Sequence, residues 1–257
     1  MPADLTPLHH DLTFMSPLSE QRADRLARFV AAGLSEPGAL VVDIGCGWGE
    51  LLLRTLAAAP TARGLGLDLD AEAVAHGTAT AAARGLADRV ELVAGDAKEH
   101  LPDAVDAVIC IGASQIWGPA VEEKQPLDYA GALAAIRALV SPGARVVFGD
   151  AIWSQEPTAQ ATAPLTGRPD EFVPLARLVE LAVDARFAPV RVHEANQDEW
   201  DEFETGFSAA YAHWLATHPT DHPDAQAVRD RARAQREGYF SGYRGYFGMA
   251  YLELLAV

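Results

Sequence analysis

VVDIGCGWGE, residues 41 to 50, joins a short apolar segment to three glycines at alternate positions. A glycine has no Cβ and tolerates a positive φ, so a ligand can lie directly against its backbone. Where such a turn leads into a helix, the free backbone N–H groups of the first helical turn face a bound anion. The stretch therefore predicts a ligand-binding turn between a buried strand and a helix.

The spacing of the glycines argues against the dinucleotide-binding fingerprint, which requires a glycine where this chain has Glu50. Asp68 follows the next apolar segment, about 20 residues beyond the glycines, where an acid meets ribose hydroxyls in nucleotide-binding βαβ units. A carboxylate can accept hydrogen bonds from both hydroxyls of a diol. The alternative role for Asp68, capping the next helix, is already filled by Asp70.

Apolar strands alternate with helices as far as residue 148, which predicts an α/β fold with a doubly wound parallel sheet and right-handed crossovers. The predicted strands span 40–44, 64–69, 89–94, 104–111 and 144–148, and the predicted helices span 16–33, 50–59, 70–85 and 127–139. The first helix is expected to start at Ser16 and Pro17, a capping residue followed by a first-turn proline.

The order acid-x-Gly-x-Gly-x-Gly from Asp43 to Gly49, with acids after the next two strands, resembles the first motif of class I S-adenosylmethionine (SAM)-dependent methyltransferases. The resemblance covers residues from about 40 to about 150 and the last strand. It implies a Rossmann-like sheet of seven strands with an antiparallel last strand, and SAM as the cofactor.

The region after residue 148 departs from that family. We predict a loop at 156–169, a helix at 174–185, a sixth strand at 189–193 and a seventh strand at 247–257. Strands six and seven of the family have a short connection, whereas tens of residues intervene here.

The intervening residues predict a second unit. We expect a helical cap, residues 198–246, inserted between strands 6 and 7 over the substrate pocket. Residues 1–197 and 247–257 would form the SAM-binding core, and residues 1–35 a lid segment.

The resemblance also implies a set of cofactor-binding residues. Asp96 would accept a hydrogen bond from the adenine amino group, and the backbone N–H of Ala97 would reach the ring. Trp48 either covers the cofactor or packs on the N-terminal helix. The predicted cofactor residues are Asp43, Gly45, Cys46, Gly47, Trp48, Gly49, Asp68, Leu69, Asp96, Ala97, Ile111 and Gly112.

Two further stretches, His9 to Ser19 and the leucines 51 to 53, resemble the small-molecule branch related to quinone-biosynthesis methyltransferases. The resemblance implies methyl transfer to a small molecule by in-line displacement at carbon. Asp150, just past the fifth strand, would take a proton or hold a cationic amine, or would be a loop acid bonded to backbone amides. His10 would be a base if its segment folds over the cofactor, and a solvated side chain otherwise.

Four residues are candidates for the substrate pocket. Trp117 and Trp153 follow the fourth and fifth strands and either wall the pocket or belong to the core. Arg244 either pairs with a substrate carboxylate or anchors the cap through an ion pair, and Tyr243 beside it belongs to the pocket or the core.

Metal dependence is not expected at this site. Magnesium-using catechol methyltransferases carry an acid at the end of the fourth strand and an Asp-Asn pair after the fifth, whereas this chain has Ser114 after Gly-Ala and Ala151 after Asp150. His213, His218 and His222 in the cap lack metal-ligand partners at a convincing spacing.

Composition restricts the class of partner. With 36 acids against 20 bases the formal net charge is −16, which would repel a nucleic acid. No apolar run is long enough to span a bilayer, and the first residues, Met-Pro-Ala-Asp, lack a secretory signal, so we expect a cytoplasmic protein without a membrane partner. A homodimer remains open.

Two alternative functions are left open by the sequence. They are a nicotinamide-dependent oxidoreductase and a non-catalytic SAM-binding or interaction protein.

Overall fold

The alternating strands and helices build a seven-stranded sheet, which the structure, a computed structural model, describes over residues 4–118 and 126–257. Residues 1–3 of the predicted lid segment lie outside the described residues. The strands are β1 (Leu40–Ile44), β2 (Arg63–Asp68), β3 (Val90–Ala94), β4 (Val105–Ile111), β5 (Val140–Trp153), β6 (Phe187–Glu194) and β7 (Phe247–Ala256).

The strand order is β3-β2-β1-β4-β5-β7-β6. The pairs among β1 to β5 are parallel, and β7 runs antiparallel to both β5 and β6. The predicted fold class, a doubly wound Rossmann-like sheet with an antiparallel last strand, is confirmed.

Most helices lie where the sequence predicts them. They are α1 (Glu20–Ala31), α2 (Glu50–Ala58), α3 (Ala71–Ala83), α4 (Ala97–His100), α5 (Tyr129–Leu139), α6 (Ala159–Thr162), α7 (Leu175–Asp184), α8 (Gln197–Thr217) and α9 (Ala225–Arg236). A π-helical segment, Glu237–Tyr243, follows α9, and Leu8–His10 and Ser114–Ile116 form single 3-10 turns. No helix within residues 4–118 and 126–257 is both long and apolar enough to cross a membrane.

The predicted start of the first helix at Ser16 is wrong, because α1 begins after Ser19. The hydroxyl of Tyr251 on β7 donates to the carbonyl of Pro17 (2.9 Å) and lies 2.8 Å from the Ser16 hydroxyl. These hydrogen bonds hold the chain beside the sheet for three more residues. The predicted loop at 156–169 also contains one helical turn, α6, which Thr158 caps.

The core lies on both faces of the sheet because side chains alternate along each strand. Val41 and Ile109 belong to one apolar cluster, with residues of α1 and α2. Val42 and Val108 belong to the other, with residues of α5 and α7. Helices thus cover both faces of the sheet, and the carboxyl ends of the strands are left open to a ligand.

Helix α8 starts the segment between β6 and β7 and is tied to α1 through one buried acid, Glu199. Its carboxylate accepts from the guanidinium of Arg22 at 2.9 and 2.7 Å and from the backbone N–H groups of Ser19 (3.1 Å) and Asn196 (2.8 Å). Burial raises the pKa of Glu199, but the hydrogen bonds from Arg22 and Ser19 outweigh it and lower the pKa to about 2. One carboxylate therefore joins the starts of α1 and α8.

Replacing Arg22 by Met should lower the free energy of unfolding by about 3 kcal/mol, because it leaves the Glu199 carboxylate buried without its partner. Urea denaturation at pH 7 measures this. Arg28→Met, an exposed position on the same helix, is the control and should change stability by less than about 0.5 kcal/mol.

The same pair predicts part of the acid sensitivity. The pKa of Glu199 is lower in the folded protein than its ordinary value of 4.5, so its stabilisation is present above that pH and is lost as the pH falls toward 2. The Arg22→Met variant should lose less stability over that range. Equal stability of both Met variants at pH 7 would contradict this account.

Candidate active site

A cavity of about 440 Å³ opens at the carboxyl ends of the central strands. Ligands of open α/β sheets bind at this edge, where loops from adjacent strands diverge. All of the predicted cofactor residues except Gly49 line it: Asp43, Gly45, Cys46, Gly47, Trp48, Asp68, Leu69, Asp96, Ala97, Ile111 and Gly112. Gly49 instead precedes α2 as its N-cap, with a φ of 72°. Their part in cofactor binding stays a prediction.

The glycine loop closes tightly against the turn after β4. Gly45 has a φ of 71°, and a Cβ at this position would lie 2.6 Å from that of Ala113. The backbone N–H groups of Gly45 and Cys46 donate to the carbonyl of Leu67 on β2, at 2.8 and 3.1 Å. A side chain at position 45 would therefore force apart the two turns that form the floor of the cavity.

Asp68 is oriented by the loop it faces. One of its oxygens accepts from the backbone N–H of Gly47 (2.7 Å) and the other from that of Asp70 (2.9 Å). Asp70 caps α3 by accepting from Glu72 and Ala73, as the sequence predicts. Each Asp68 oxygen keeps a further lone pair, which is available to a hydroxyl of a ligand in the cavity.

Asp43 is the most perturbed acid of the cavity. It is only 4% exposed, and burial, together with the nearby charge of Asp68, raises its pKa to about 8. Burial also raises the pKa of the neighbouring Cys46 thiol, and the charges of Asp43 and Asp68 add to that effect. Burial thus favours the protonated form of Asp43.

The polarity of the cavity changes along the edge of the sheet. The acids Asp43, Asp68 and Asp96 lie at the ends of β1, β2 and β3. On the other side, Ile111 of β4 and Met249 of β7 contribute apolar side chains. Ser16 and Gln115, both uncharged, also lie on that side. The acidic half therefore suits a polar, cationic ligand, and the uncharged half suits a largely apolar one.

The N-terminal segment supplies a wall of the cavity that the sequence did not identify residue by residue. Phe14, Met15, Ser16 and Leu18 line it, and the indole N–H of Trp48 donates to the carbonyl of Thr13 (2.8 Å). Trp48 thus lines the cavity and holds the segment before α1, and its contact with the cofactor stays a prediction. The apolar spacing of the segment alone could not show which cavity it covers.

Asp150 lies beneath the cavity and does not line it. It is 2% exposed, and its two oxygens accept from the backbone N–H groups of Ser114 (3.0 Å) and Ala151 (2.7 Å). Burial raises its pKa, although these hydrogen bonds act in the opposite direction. The geometry favours the alternative of a loop acid bonded to backbone amides over a catalytic role.

The four substrate candidates also lie outside the lining of the cavity. Trp153 is buried and donates to the carbonyl of Pro169 (2.8 Å), and Trp117 packs against the cluster below α5. The Tyr243 hydroxyl donates to Glu204 (2.8 Å), and Arg244 forms two hydrogen bonds with Asp201 at 2.8 and 2.7 Å. Their contacts are those of core and cap anchoring.

His10 lies in an exposed cluster on the outer side of the N-terminal segment. Its Nδ1 is 3.3 Å from one oxygen of Asp11, and Nε2 of His213 is 3.0 Å from the other. His213 thus has two potential ligand residues beside it, which the sequence did not indicate. Because these residues are 202 positions apart in the chain, sequence spacing could not reveal the cluster.

Comparisons with known proteins point to methyltransferases. Residues 41–143 match the family model described as a methyltransferase domain. A SAM-dependent methyltransferase from Geobacter sulfurreducens, crystallised with S-adenosyl-L-homocysteine, is 26% identical and superposes with a TM-score of 0.79, covering 97% of this chain and 96% of that one. One from Thiobacillus denitrificans, also crystallised with S-adenosyl-L-homocysteine, is 26% identical with a TM-score of 0.78 over 97% and 96% of the two chains.

The protein YjhP of Escherichia coli strain K12 is 27% identical over 94% of this chain and 93% of its own length. Together with the fold and the glycine loop, these matches support SAM-dependent methyltransferase activity. The oxidoreductase and the non-catalytic alternatives are set aside on this ground.

Replacing Asp43 by Asn should change how stability depends on pH. Between about pH 4 and pH 8 the folded protein keeps a proton on Asp43 that the unfolded chain has lost, so this group destabilises the fold as the pH rises. The effect reaches up to about 1.4 kcal/mol per pH unit. Since Asn cannot ionise, the variant should lose less stability than the wild type from pH 5 to pH 8.

Urea denaturation of the ligand-free protein at both pH values measures this difference. Asp103→Asn, at an exposed acid after α4, should behave as the wild type does. Parallel pH profiles for the wild type and the Asp43→Asn variant would show that the pKa of Asp43 is not raised.

Proposed function

We propose that the chain transfers the methyl group of SAM to a small, largely apolar acceptor by in-line displacement, without a metal ion at the reacting centre. The observation that carries this proposal is the change in polarity along the cavity. SAM is polar and carries both charges of an amino acid, which suits the half near β1 to β3. The apolar half near β4 and β7 is left for the acceptor.

The seat of the cofactor follows from the strand ends. Asp68 would bind the ribose hydroxyls, Asp96 the adenine amino group, and the N–H of Ala97 the adenine ring. Asp43 would face the cationic methionyl end, which favours its ionised form and so opposes the effect of burial. The crystals of the Geobacter and Thiobacillus relatives with S-adenosyl-L-homocysteine support a ligand of this kind.

Chemistry at this site depends on positioning. Attack on the methyl carbon of SAM breaks its bond to the sulfonium sulfur and releases a neutral thioether, which is a good leaving group. The protein therefore has to place a nucleophile in line with the methyl carbon and exclude water. Positioning of this kind can contribute roughly 7–11 kcal/mol to lowering the barrier. The wall formed by Phe14 to Leu18 covers the cavity and would keep water from the reacting atoms.

The acceptor atom must arrive already deprotonated, because the structure describes no general base on its side of the cavity. Among the described residues that line the cavity, the acids lie with the glycine loop and at the ends of β1 to β3, and the side near β4 and β7 carries Ile111, Met249 and Leu18. His10 faces a different, exposed pocket. A neutral amine, an enolate or a thiolate therefore suits the site better than a group that needs deprotonation by the enzyme.

The helical cap acts on the pocket through the N-terminal segment. Leu12 packs with Phe203 and Phe207 of α8, and a Cβ at Gly206 would collide with Leu12. We therefore retain residues 198–246 as a cap that supports the lid segment, on a core of 1–197 and 247–257. Pairing of the cap with a second copy of the chain is the alternative.

The proposal also assigns the chain to the small-molecule branch related to quinone-biosynthesis methyltransferases. It is supported by the position of the segment from His9 to Ser19, which includes residues that line the cavity. The charge of −16 argues against a nucleic-acid acceptor.

Asp68→Ala should weaken the binding of SAM and S-adenosylhomocysteine by roughly 1–3 kcal/mol, because the ribose hydroxyls lose their acceptor. Isothermal titration calorimetry measures the affinity, and NAD should show no binding. The control is Asp70→Ala, which removes the cap of α3 and should cost about 1 kcal/mol of stability without weakening binding. Unchanged affinity in Asp68→Ala would exclude it as the ribose ligand.

Methyl transfer should continue in the presence of EDTA, since no acid directly follows β4 and Ala151 stands after Asp150 in place of an asparagine. That leaves too few oxygen ligands for a hard cation. The assay incubates the protein with methyl-labelled SAM and a metabolite extract separated by polarity, and the label should enter the apolar fraction. Loss of labelling in EDTA that magnesium restores would contradict a metal-independent reaction. Label confined to products without a sizeable apolar part would contradict the apolar acceptor.

A further inference from the structure

The N-terminal segment and α8 meet at a cluster of three side chains, His10, Asp11 and His213. Their ligand atoms all lie within 4.8 Å of one another. Nδ1 of His10 is 3.3 Å from one oxygen of Asp11, and Nε2 of His213 is 3.0 Å from the other. The side chains are 62%, 21% and 50% exposed, so a solute can reach all three.

One packing contact holds Asp11 next to His213. Leu12, next to Asp11 in the chain, packs on Gly206 of α8. Gly206 and His213 are seven residues apart, about two helical turns, and therefore lie on the same face of α8. The packing of Leu12 thus brings Asp11 to His213 without any contribution from the polar groups themselves.

We propose that this cluster is a binding site for a first-row divalent cation of the Zn²⁺ type, which clamps the N-terminal segment to α8. Two imidazoles and one carboxylate form a donor set suited to Zn²⁺, Co²⁺ or Ni²⁺, whereas Mg²⁺ and Ca²⁺ prefer oxygen ligands. With bonds of 2.0–2.2 Å, ligand atoms of a tetrahedral site lie roughly 3.3 Å apart, close to the two separations from Asp11. Water would complete the coordination.

The clamp acts on the cofactor cavity. The residues that follow the cluster, Phe14 to Leu18, form a wall of that cavity, and Trp48 holds the segment through Thr13. A cation bound to His10, Asp11 and His213 fixes the outer end of this wall. It therefore slows opening of the wall and retains the bound ligand. This second step rests on the proposed function, whereas binding of the cation does not.

The first experiment measures the cation alone. Tag-free protein, stripped with a chelator, is titrated with Co²⁺, whose visible absorption reports nitrogen and oxygen ligands. Wild type should develop these bands with one cation per chain, and His213→Gln should lose at least about tenfold in affinity, the loss typical of a damaged metal site. Gln at this position can still hydrogen-bond to Asp11, so the variant separates a metal ligand from a hydrogen-bonded clasp.

The matched control is His218→Gln, the same substitution near the end of the same helix. His218 stacks on Trp214 and does not belong to the cluster, so cobalt binding should be unchanged. Thermal unfolding of both variants shows whether they are folded. Absence of the bands in wild type, or equal cobalt affinity in wild type and His213→Gln, would overturn the site.

The second experiment measures the coupling. Zn²⁺ should slow the release of S-adenosylhomocysteine from wild type but not from His213→Gln, and by linkage the ligand should tighten Zn²⁺ binding by the same factor as Zn²⁺ tightens the ligand. Equal release with and without Zn²⁺ would overturn the clamp. Failure of the protein to bind S-adenosylhomocysteine at all would overturn the proposed function and leave the cobalt result to decide on the cation site.

Discussion

The hydrogen bonds between the glycine loop and β2 are the contact on which the site depends. The carbonyl of Leu67 accepts from Gly45 and Cys46, and the carboxylate of Asp68 accepts from Gly47. These bonds turn the chain at the end of β1 so that α2 can start, and they orient the acid that faces the cavity. The strand ends that flank this turn belong to β2 and β4, since β1 lies between them in the sheet.

Local patterns predicted the sheet well because burial in a parallel sheet dictates apolar runs of a definite length. They also located the cofactor half of the cavity, since adjacent parallel strands end at the same edge. They were poor guides to Asp150, Trp153 and Arg244, whose partners are fixed by tertiary packing. Their positions in the chain suggested a place in the pocket. In the structure Asp150 accepts from backbone amides, Trp153 donates to a backbone carbonyl, and Arg244 pairs with Asp201.

The start of α1 and the cation cluster were missed for the same physical reason. Tyr251 holds Pro17 through a contact 234 residues distant in sequence, and Asp11 meets His213 across 202 residues. A helix cap or a ligand spacing can be seen in sequence only where both partners are local. Contacts that join the N-terminal segment to β7 and α8 exist only after the sheet and the cap have formed.

Cys46 lies in the glycine loop that lines the cavity, and its sulfur lies against Gly66 of β2. Alkylation and oxidation require the thiolate, and burial with two neighbouring acids raises the pKa of this thiol far above its ordinary value. The Cys46 thiol is therefore unreactive, although it lies beside a cavity that an electrophile could enter. The two acids that we propose as cofactor ligands therefore also keep this thiol protonated.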